Sequence, residues 1–414
     1  MSAMPSTPPP PSLPDQTRIA AGRVWYTVLG AGLAFGAVAF GYQWWLGLGV
    51  TGLTNTVTWG AYIVAFMFLV GISAGGLIVV AGSELVGSER LTALSRLAVL
   101  VSGAAIVAAG LSILPDLGRP EQVWQMLTSP NLMSPLIWDV VVISAYLGIA
   151  VVDLWILTRP RPMPRALKVA AIVSLPVAVL VHSVTAWIFG LLVARPFWNT
   201  ALLAPMFISS ALVSGTALVL LIAWITARVT RWSPPGHVFS DLGRLLAWFV
   251  AVDAFLLAAE VLTVYTSRQP THTDPLQILL TGELAVLFWT EVVLGLVVPF
   301  IVFVTPRLRA RPSLLLTAAT LAILGVLAKR INILIPGMYE PLVGMAPGIP
   351  AGRPGQSFEP AAAYVPTWVE WGVLIGVLAL MSAMITAGVR YLLAPSDPRP
   401  SAPRSDQPAG ALSR

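Results

Sequence analysis

Ten stretches of this chain stay apolar for about 20 residues or more, near 26–46, 59–82, 94–113, 136–157, 169–194, 205–225, 245–265, 284–304, 314–335 and 368–393. A hydrocarbon core of about 30 Å takes about 20 helical residues to cross. Strands of a transmembrane barrel would alternate polar and apolar side chains, and these stretches do not, which leaves helices as the only spanning structure. Composition agrees: 57% of the residues are hydrophobic and 10% charged, against about 25% charged in a soluble domain. The expectation is an all-α membrane protein of about ten transmembrane helices.

Lysine and arginine set the topology. Of 24 such residues, six fall on one side of the spans, at Arg119, Arg195, Arg268, Lys329, Arg330 and Arg353, and the remaining 18 on the other. The positive-inside rule then predicts cytoplasmic termini. The same rule accounts for the net charge of +6 without nucleic acid as a partner; the lipid bilayer is the partner that this charge pattern predicts. Residues 1–22 are Pro-rich and read as a disordered tail, 23–394 as the membrane domain and 395–414 as a second disordered tail. The opening MSAMPSTPPPPSLPDQTR lacks the basic start and immediate apolar stretch of a signal peptide.

The chain has no cysteine and only three histidines, His182, His237 and His272. Thiolate zinc sites, Fe–S clusters and covalent haem are thereby excluded. A membrane haem b needs two facing axial ligands, and His237 and His272 fall in connections on opposite sides. No haem or metal is expected in this chain. The segment GISAGG, residues 71–76, is a smooth helix face rather than a phosphate loop.

Ionisable residues inside spans mark function more often than they do in water. Asp139 and Asp153 lie near the two ends of the fourth span, and His182 is mid-span in the fifth. Asp253 and Glu260, seven residues apart, share one face of the seventh. Glu291 lies in the eighth span, and Lys329 and Arg330 toward the outer end of the ninth, where both can also snorkel to the interface. The outer connections 114–135 and 336–366 are long, a length usual for functional loops.

Several phrases then fall in a telling order: TWGAYIVAFMFLVGISAGG (58–76), PDLGRP (115–120), PNLMSPLIWD (130–139), VHSVTAWIFGLLVARPFWNTALLAPMFISSALVSG (181–215), NILIPGMYEP (332–341) and YVPTWVEW (364–371). Together they resemble the NrfD/polysulfide-reductase (PsrC-type) family of membrane subunits, over roughly residues 55–390, and in particular its ten-span members such as those of alternative complex III. The resemblance implies two four-helix bundles with flanking helices. It implies menaquinone or ubiquinone as cofactor and a four-cluster, ferredoxin-like iron–sulfur subunit as partner. A molybdopterin subunit or a multihaem cytochrome would complete the complex, in a bacterial inner membrane. Carried over by position, the aspartate of the WD pair is Asp139 and the histidine of VHS is His182. Asp253 is similar to an acid of the ten-span relatives, and Asp116, Arg119 and Pro120 match the loop beside the docking surface. Other histidines used by some family quinone sites have no counterpart here; Trp59, Tyr62 or Gln43 would supply those hydrogen bonds.

The expected function is that of a quinone-binding membrane subunit of an oxidoreductase. His182, Asp139, Asp253, Tyr62 and Trp59 would form the quinone site, with Glu260, Glu291 and Asp153 as proton relay. A proton-translocating coupling subunit and a secondary transporter are the alternatives; no matched pair of Gly/Pro-broken helices supports the latter.

Overall fold

The computed structural model describes residues 15–339 and 364–392, except 55–56, 87–88, 160–162, 231, 233 and 236. Among the described residues the regular structure is helical throughout, and ten helices are long and apolar enough to cross a membrane. They are α1 (Asp15–Leu46), α2 (Ala61–Val86), α3 (Ser95–Ile113), α4 (Pro135–Thr158), α5 (Pro164–Gly190), α6 (Leu203–Val229), α7 (Val238–Ser267), α8 (Ala285–Val304), α9 (Pro312–Tyr339) and α10 (Trp368–Leu392). The chain is thus a multi-pass, all-α membrane protein.

Local chemistry sets several boundaries. Proline occupies the first turn of α4, α5 and α9, where its missing N–H costs nothing. Helix α7 ends at Arg268, whose φ of 54° is left-handed, with Pro270 just beyond to prevent continuation. Three boundaries differ from expectation. Helix α1 already begins at Asp15, inside the segment expected to be disordered. Helix α9 runs on to Tyr339, because Pro336 near its end removes only one backbone donor. The outer connection 114–135 is not featureless: it carries short helical turns at Leu114–Leu117, Pro120–Gln122 and Gln125–Thr128. A further helix, Pro270–Leu280, precedes α8. Residues 340–363 of the expected outer connection 336–366 lie outside the described residues, as does the expected tail 395–414.

Helices α2, α3, α4 and α5 pack in a ring, each on the next and α5 back on α2. Helices α6, α7, α8 and α9 form a second ring in the same manner. Helix α10 lies on α3, and α1 on α10, as a flanking pair. Each ring encloses an apolar core. Two four-helix bundles with flanking helices are therefore present as expected.

The bundles meet where α2 crosses α6. A Cβ on Gly75 would stand 1.8 Å from the Ala211 carbonyl oxygen, so only glycine permits this approach. With no hydrophobic driving force between helices in lipid, close backbone contact of this kind supplies much of the association. The GISAGG segment is a packing surface, and it holds the two bundles in register.

Candidate functional site

The end of the molecule that carries connections 114–135, 191–202 and 268–284 is called the outer end below. Within the second bundle, Lys329 on α9 is fully buried. Its Nζ donates to Asp253 Oδ2 on α7 at 2.7 Å and lies 3.8 Å from Glu291 Oε1 on α8. Asp253 Oδ1 accepts from Ser209 on α6 at 2.7 Å. Asn332, one turn beyond Lys329, donates through Nδ2 to Glu291 Oε2 at 2.7 Å. All four helices of the bundle contribute to one network. Burying charges is costly unless they are paired and hydrogen-bonded. The pairing is complete for Asp253 and incomplete for Glu291: Glu291 Oε1 and Asn332 Oδ1 are buried with no hydrogen-bond partner.

This network borders a cavity toward the outer end. The empty space measures about 570 Å³, including the part open to its surroundings. It lies between α6, α7, α8, α9, residues 197–200 and the helix Pro270–Leu280. Its walls are mostly apolar and aromatic, among them Phe197, Trp198, Leu257, Val261 and Phe288. The polar groups that reach it are Glu260, Glu291, Lys329, Asn332 and Thr200. Thr200 donates to Glu260 at 3.0 Å.

Arg330 points the other way, into the seam between the bundles. Its Nη2 donates to Ser210 at 2.9 Å and lies 3.3 Å from His182 Nε2 on α5, while its guanidinium stacks 4.1 Å over Phe207. Gly71 on α2 leaves the room that His182 and Arg330 fill. An aromatic group, Trp59, Phe189, Trp198 and Phe207, closes the seam on its outer side. Trp198 is pinned by its Nε1 bond to the Ile333 carbonyl at 2.7 Å.

The first bundle holds its acids differently. Asp139, Tyr146 and Asp153 are spaced by sevens on α4 and face inward, all buried. Thr185 donates to Asp139 at 2.7 Å, Ser174 to Asp153 at 2.6 Å, and Tyr146 to the Ser73 carbonyl at 2.8 Å. The two aspartates tie α4 to its neighbour α5, and Tyr146 reaches across the bundle to α2.

At the outer end a cap joins α1, α2, α3 and α10. Tyr62 donates to Gln43 at 2.5 Å, and Gln43 donates to the Pro115 carbonyl at 2.8 Å. Tyr364 donates to Glu370 and accepts from the Ala61 amide at 2.7 Å. Burial and the neighbouring Glu370 carboxylate push the Tyr364 phenol above its ordinary range. Gly52 and Thr367 amides also bond Glu370.

The five residues expected to form one quinone site are therefore not gathered around one cavity. Tyr62 belongs to the cap, Trp59 to the aromatic closure, Asp139 to the first bundle, His182 to the seam and Asp253 to the second bundle. Of the expected relay residues, Glu260 and Glu291 border the large cavity, and Asp153 stands apart at the inner end of α4. Asp116, Arg119 and Pro120 lie on the outer connection, with Arg119 exposed and Leu117, Trp124, Leu132 and Met133 exposed beside them. Snorkelling is corrected for Lys329 and Arg330. Helix α9 continues for nine residues beyond Arg330, which puts both cations in the protein interior. Asn332, Ser209 and Glu370 were not singled out from the sequence. The signal for Asn332 was its i,i+3 spacing from Lys329, which places both on one helix face.

Fold and buried charges define a polytopic membrane protein whose second bundle surrounds an apolar cavity bordered by ionisable groups. The description "Polysulphide reductase, NrfD" matches residues 49–341, and the chain belongs to that family. It is similar to a putative membrane subunit of dimethyl sulfoxide reductase from Halobacterium salinarum, with 37% identity over 90% of this chain and 91% of the relative. It is also similar to the Hdr-like menaquinol oxidoreductase integral membrane subunit of Archaeoglobus fulgidus (28%; 83% and 86%). A third relative is the menaquinone reductase integral membrane subunit of Nitratidesulfovibrio vulgaris (22%; 84% and 85%). The chain is accordingly a membrane subunit of an oxidoreductase complex.

Proposed function

We propose that the chain exchanges electrons between the quinone pool and an iron–sulfur partner subunit, with the quinone headgroup held in the outer cavity of the second bundle. The observation that carries this reading is the cavity itself. It is apolar enough for a ring and an isoprenoid stem, and it is bordered by five polar side chains, Thr200, Glu260, Glu291, Lys329 and Asn332. The buried, unpartnered oxygens of Glu291 and Asn332 fit a ligand that brings hydrogen-bonding groups of its own. Two relatives carry menaquinol or menaquinone in their names, which supports menaquinone, with ubiquinone as the other candidate.

A bound quinone would supply a couple of two electrons and two protons. The protein's share is proton handling and placement. Glu260, held by Thr200, and Glu291, held by Asn332, accept or return protons at their carboxylates. Trp198 and Phe288 exclude water and position the ring. Asp253 stands one step behind Glu291. His182 and Arg330 hold the seam between the bundles, and Asp139 fixes α4 against α5. Asp116, Arg119, Pro120 and the exposed apolar residues beside them would dock the iron–sulfur subunit. That partner would be the four-cluster, ferredoxin-like type, linked to a molybdopterin or multihaem subunit. The topology would place both termini in the cytoplasm of a bacterium, with the chain in its inner membrane.

The test is purification of the native complex in mild detergent, with mass spectrometry of its subunits and extraction of its quinone. Val261→Trp, which fills the cavity, is the companion variant. An iron–sulfur subunit with bound quinone, and quinone lost from an intact Val261→Trp complex, is the expected result. A complex that retains its quinone in Val261→Trp would place the headgroup elsewhere, and a chain with neither partner nor quinone would remove the function.

A further inference from the structure

We infer that Lys329 is a charge toggle, moving between Asp253 and Glu291 so that the two carboxyls share one proton between them. The inference rests on the cavity reading only for what loads Glu291; the toggle itself stands on the geometry of the network.

One ammonium group faces two buried carboxyls. It bonds Asp253 at 2.7 Å and stands 3.8 Å from Glu291. A shift of about 1 Å would bring it within charge-assisted bonding distance of Glu291, well within the freedom of a four-carbon stem. Asp253 is saturated, with one oxygen on Ser209 and the other on Lys329. Glu291 has one oxygen on Asn332 and the other without a hydrogen-bond partner. An uncompensated carboxylate is costly in such a place, so the carboxyl that Lys329 leaves must carry a proton.

Among the described residues the other charges around the network make no hydrogen bond to Asp253 or Glu291, although Arg330 acts on both through space. Arg330 is turned into the seam, where its bonds go to Ser210, the Phe207 carbonyl and the ring of His182. Glu260 on α7 faces the far side of the cavity, with Thr200 as its partner. Among the described residues, the hydrogen bond that α6 gives the network comes from the Ser209 hydroxyl.

Helix α8 contributes a second, independent feature. Over Thr290–Val297 it winds as a π-helix, and Glu291 sits in its first turn. Such segments are rare and recur at functional sites. Here the π-helical turn carries the carboxylate that Lys329 would swing toward.

The exchange is electroneutral. A proton leaves the Glu291 carboxyl and one is gained at Asp253 Oδ2, while the ammonium contact moves from Asp253 to Glu291. Proton occupancy at the cavity is thereby tied to proton occupancy deeper in the bundle. The second bundle becomes a coupling element as well as a ligand pocket.

Infrared difference spectroscopy of the purified complex, titrated in light and heavy water, tests this directly. Protonated carboxyls give a carbonyl band that shifts in heavy water, and Glu291→Gln and Asp253→Asn assign it. The wild type should show a single shared proton: the Glu291 and Asp253 components together amount to one carboxyl and fall together as the pH rises. In Asp253→Asn, Lys329 should settle on Glu291 and the Glu291 band should be absent across the same pH range. Should that variant fail to assemble, Glu291→Gln reads the same coupling from the other side, because Lys329 then stays on Asp253 and no Asp253 band appears. Two bands that titrate independently, or a Glu291 band that survives in Asp253→Asn, would overturn the toggle. Quinone extraction from the same samples is a separate readout, so a toggle without quinone refutes only the proposed function.

Discussion

Gly75→Ala adds one methyl group at the α2–α6 crossing, and its effect follows from distances alone. The new Cβ would stand 1.8 Å from the Ala211 carbonyl oxygen, some 1.6 Å inside the 3.4 Å at which ordinary contact begins. The obstacle is backbone, which cannot rotate away as a side chain can. The bundles must therefore part by more than 1 Å, and a gap of 0.5–1 Å already forfeits about a quarter to a half of each dispersion contact. Overpacking of this kind costs about 1–3 kcal/mol. The intrinsic helix preference of alanine returns roughly 0.5–1 kcal/mol. Gly148→Ala is the matched control, because a Cβ there meets nothing within 4 Å, and it should be neutral or slightly stabilising. Thermal unfolding of both variants in the same detergent, followed by tryptophan fluorescence, reads the difference. The loosened seam should also expose the Arg330–His182 contact to solvent, giving faster deuterium exchange along residues 69–76. Equal unfolding temperatures for the two variants would refute the claim that the α2–α6 approach holds the bundles together.

Three further outcomes follow from the same contacts. Lys329→Met leaves Asp253 without its cation, and breaking a buried pair from one side costs about 3–5 kcal/mol; the double variant Lys329→Met/Asp253→Leu should recover most of that loss in the same unfolding assay. Tyr364→Phe removes the hydroxyl that accepts from the Ala61 amide and donates to Glu370, for a loss of about 1–3 kcal/mol of the stability of the outer cap. Because the Tyr364 phenol is held above its ordinary range, its stabilising effect should be complete below about pH 10 and fall as pH rises beyond that, where only the unfolded chain ionises readily. Tyr364→Phe should remove that part of the alkaline loss, and an unchanged pH profile would contradict it. Glu260→Gln keeps the shape of the cavity wall and should lower quinone-dependent electron transfer while leaving the unfolding temperature within about 1 °C of wild type, since a part-exposed single bond contributes little net stability.

The spans were legible because lipid imposes one simple rule, about 20 apolar residues for every crossing. The bundle pairing was implied by resemblance and not by the pattern of any one helix, since in lipid both faces of a span are apolar and periodicity no longer marks the interior. Asp253 and Glu260 were legible as a pair through their spacing. Lys329 was misjudged for a physical reason: the sequence places it near a Gly/Pro-rich segment, and only the continuation of α9 to Tyr339 shows that it is too deep to reach water. The π-helical turn at Glu291 leaves no mark in composition, so its approach to Lys329 could not be read. Nor could the separation of Tyr62, Trp59, Asp139 and His182, which lie on elements whose facing was unknown.

That separation assigns different work to the two bundles. In the first, every inward acid is held by a hydroxyl from a neighbouring helix, Asp139 by Thr185 and Asp153 by Ser174, with no cation against either. Neutral ties of this kind let polar groups sit in an apolar core at small cost and fix helix register. In the second, acids and a lysine share one network beside the cavity, and Glu291 and Asn332 each keep an oxygen without a hydrogen-bond partner, as Asp153 does in the first. What sets the second bundle apart is its buried lysine between two carboxyls. On the proposed function the ligand and the mobile proton belong to this second bundle, and the first is the frame against which α2 and α6 hold it.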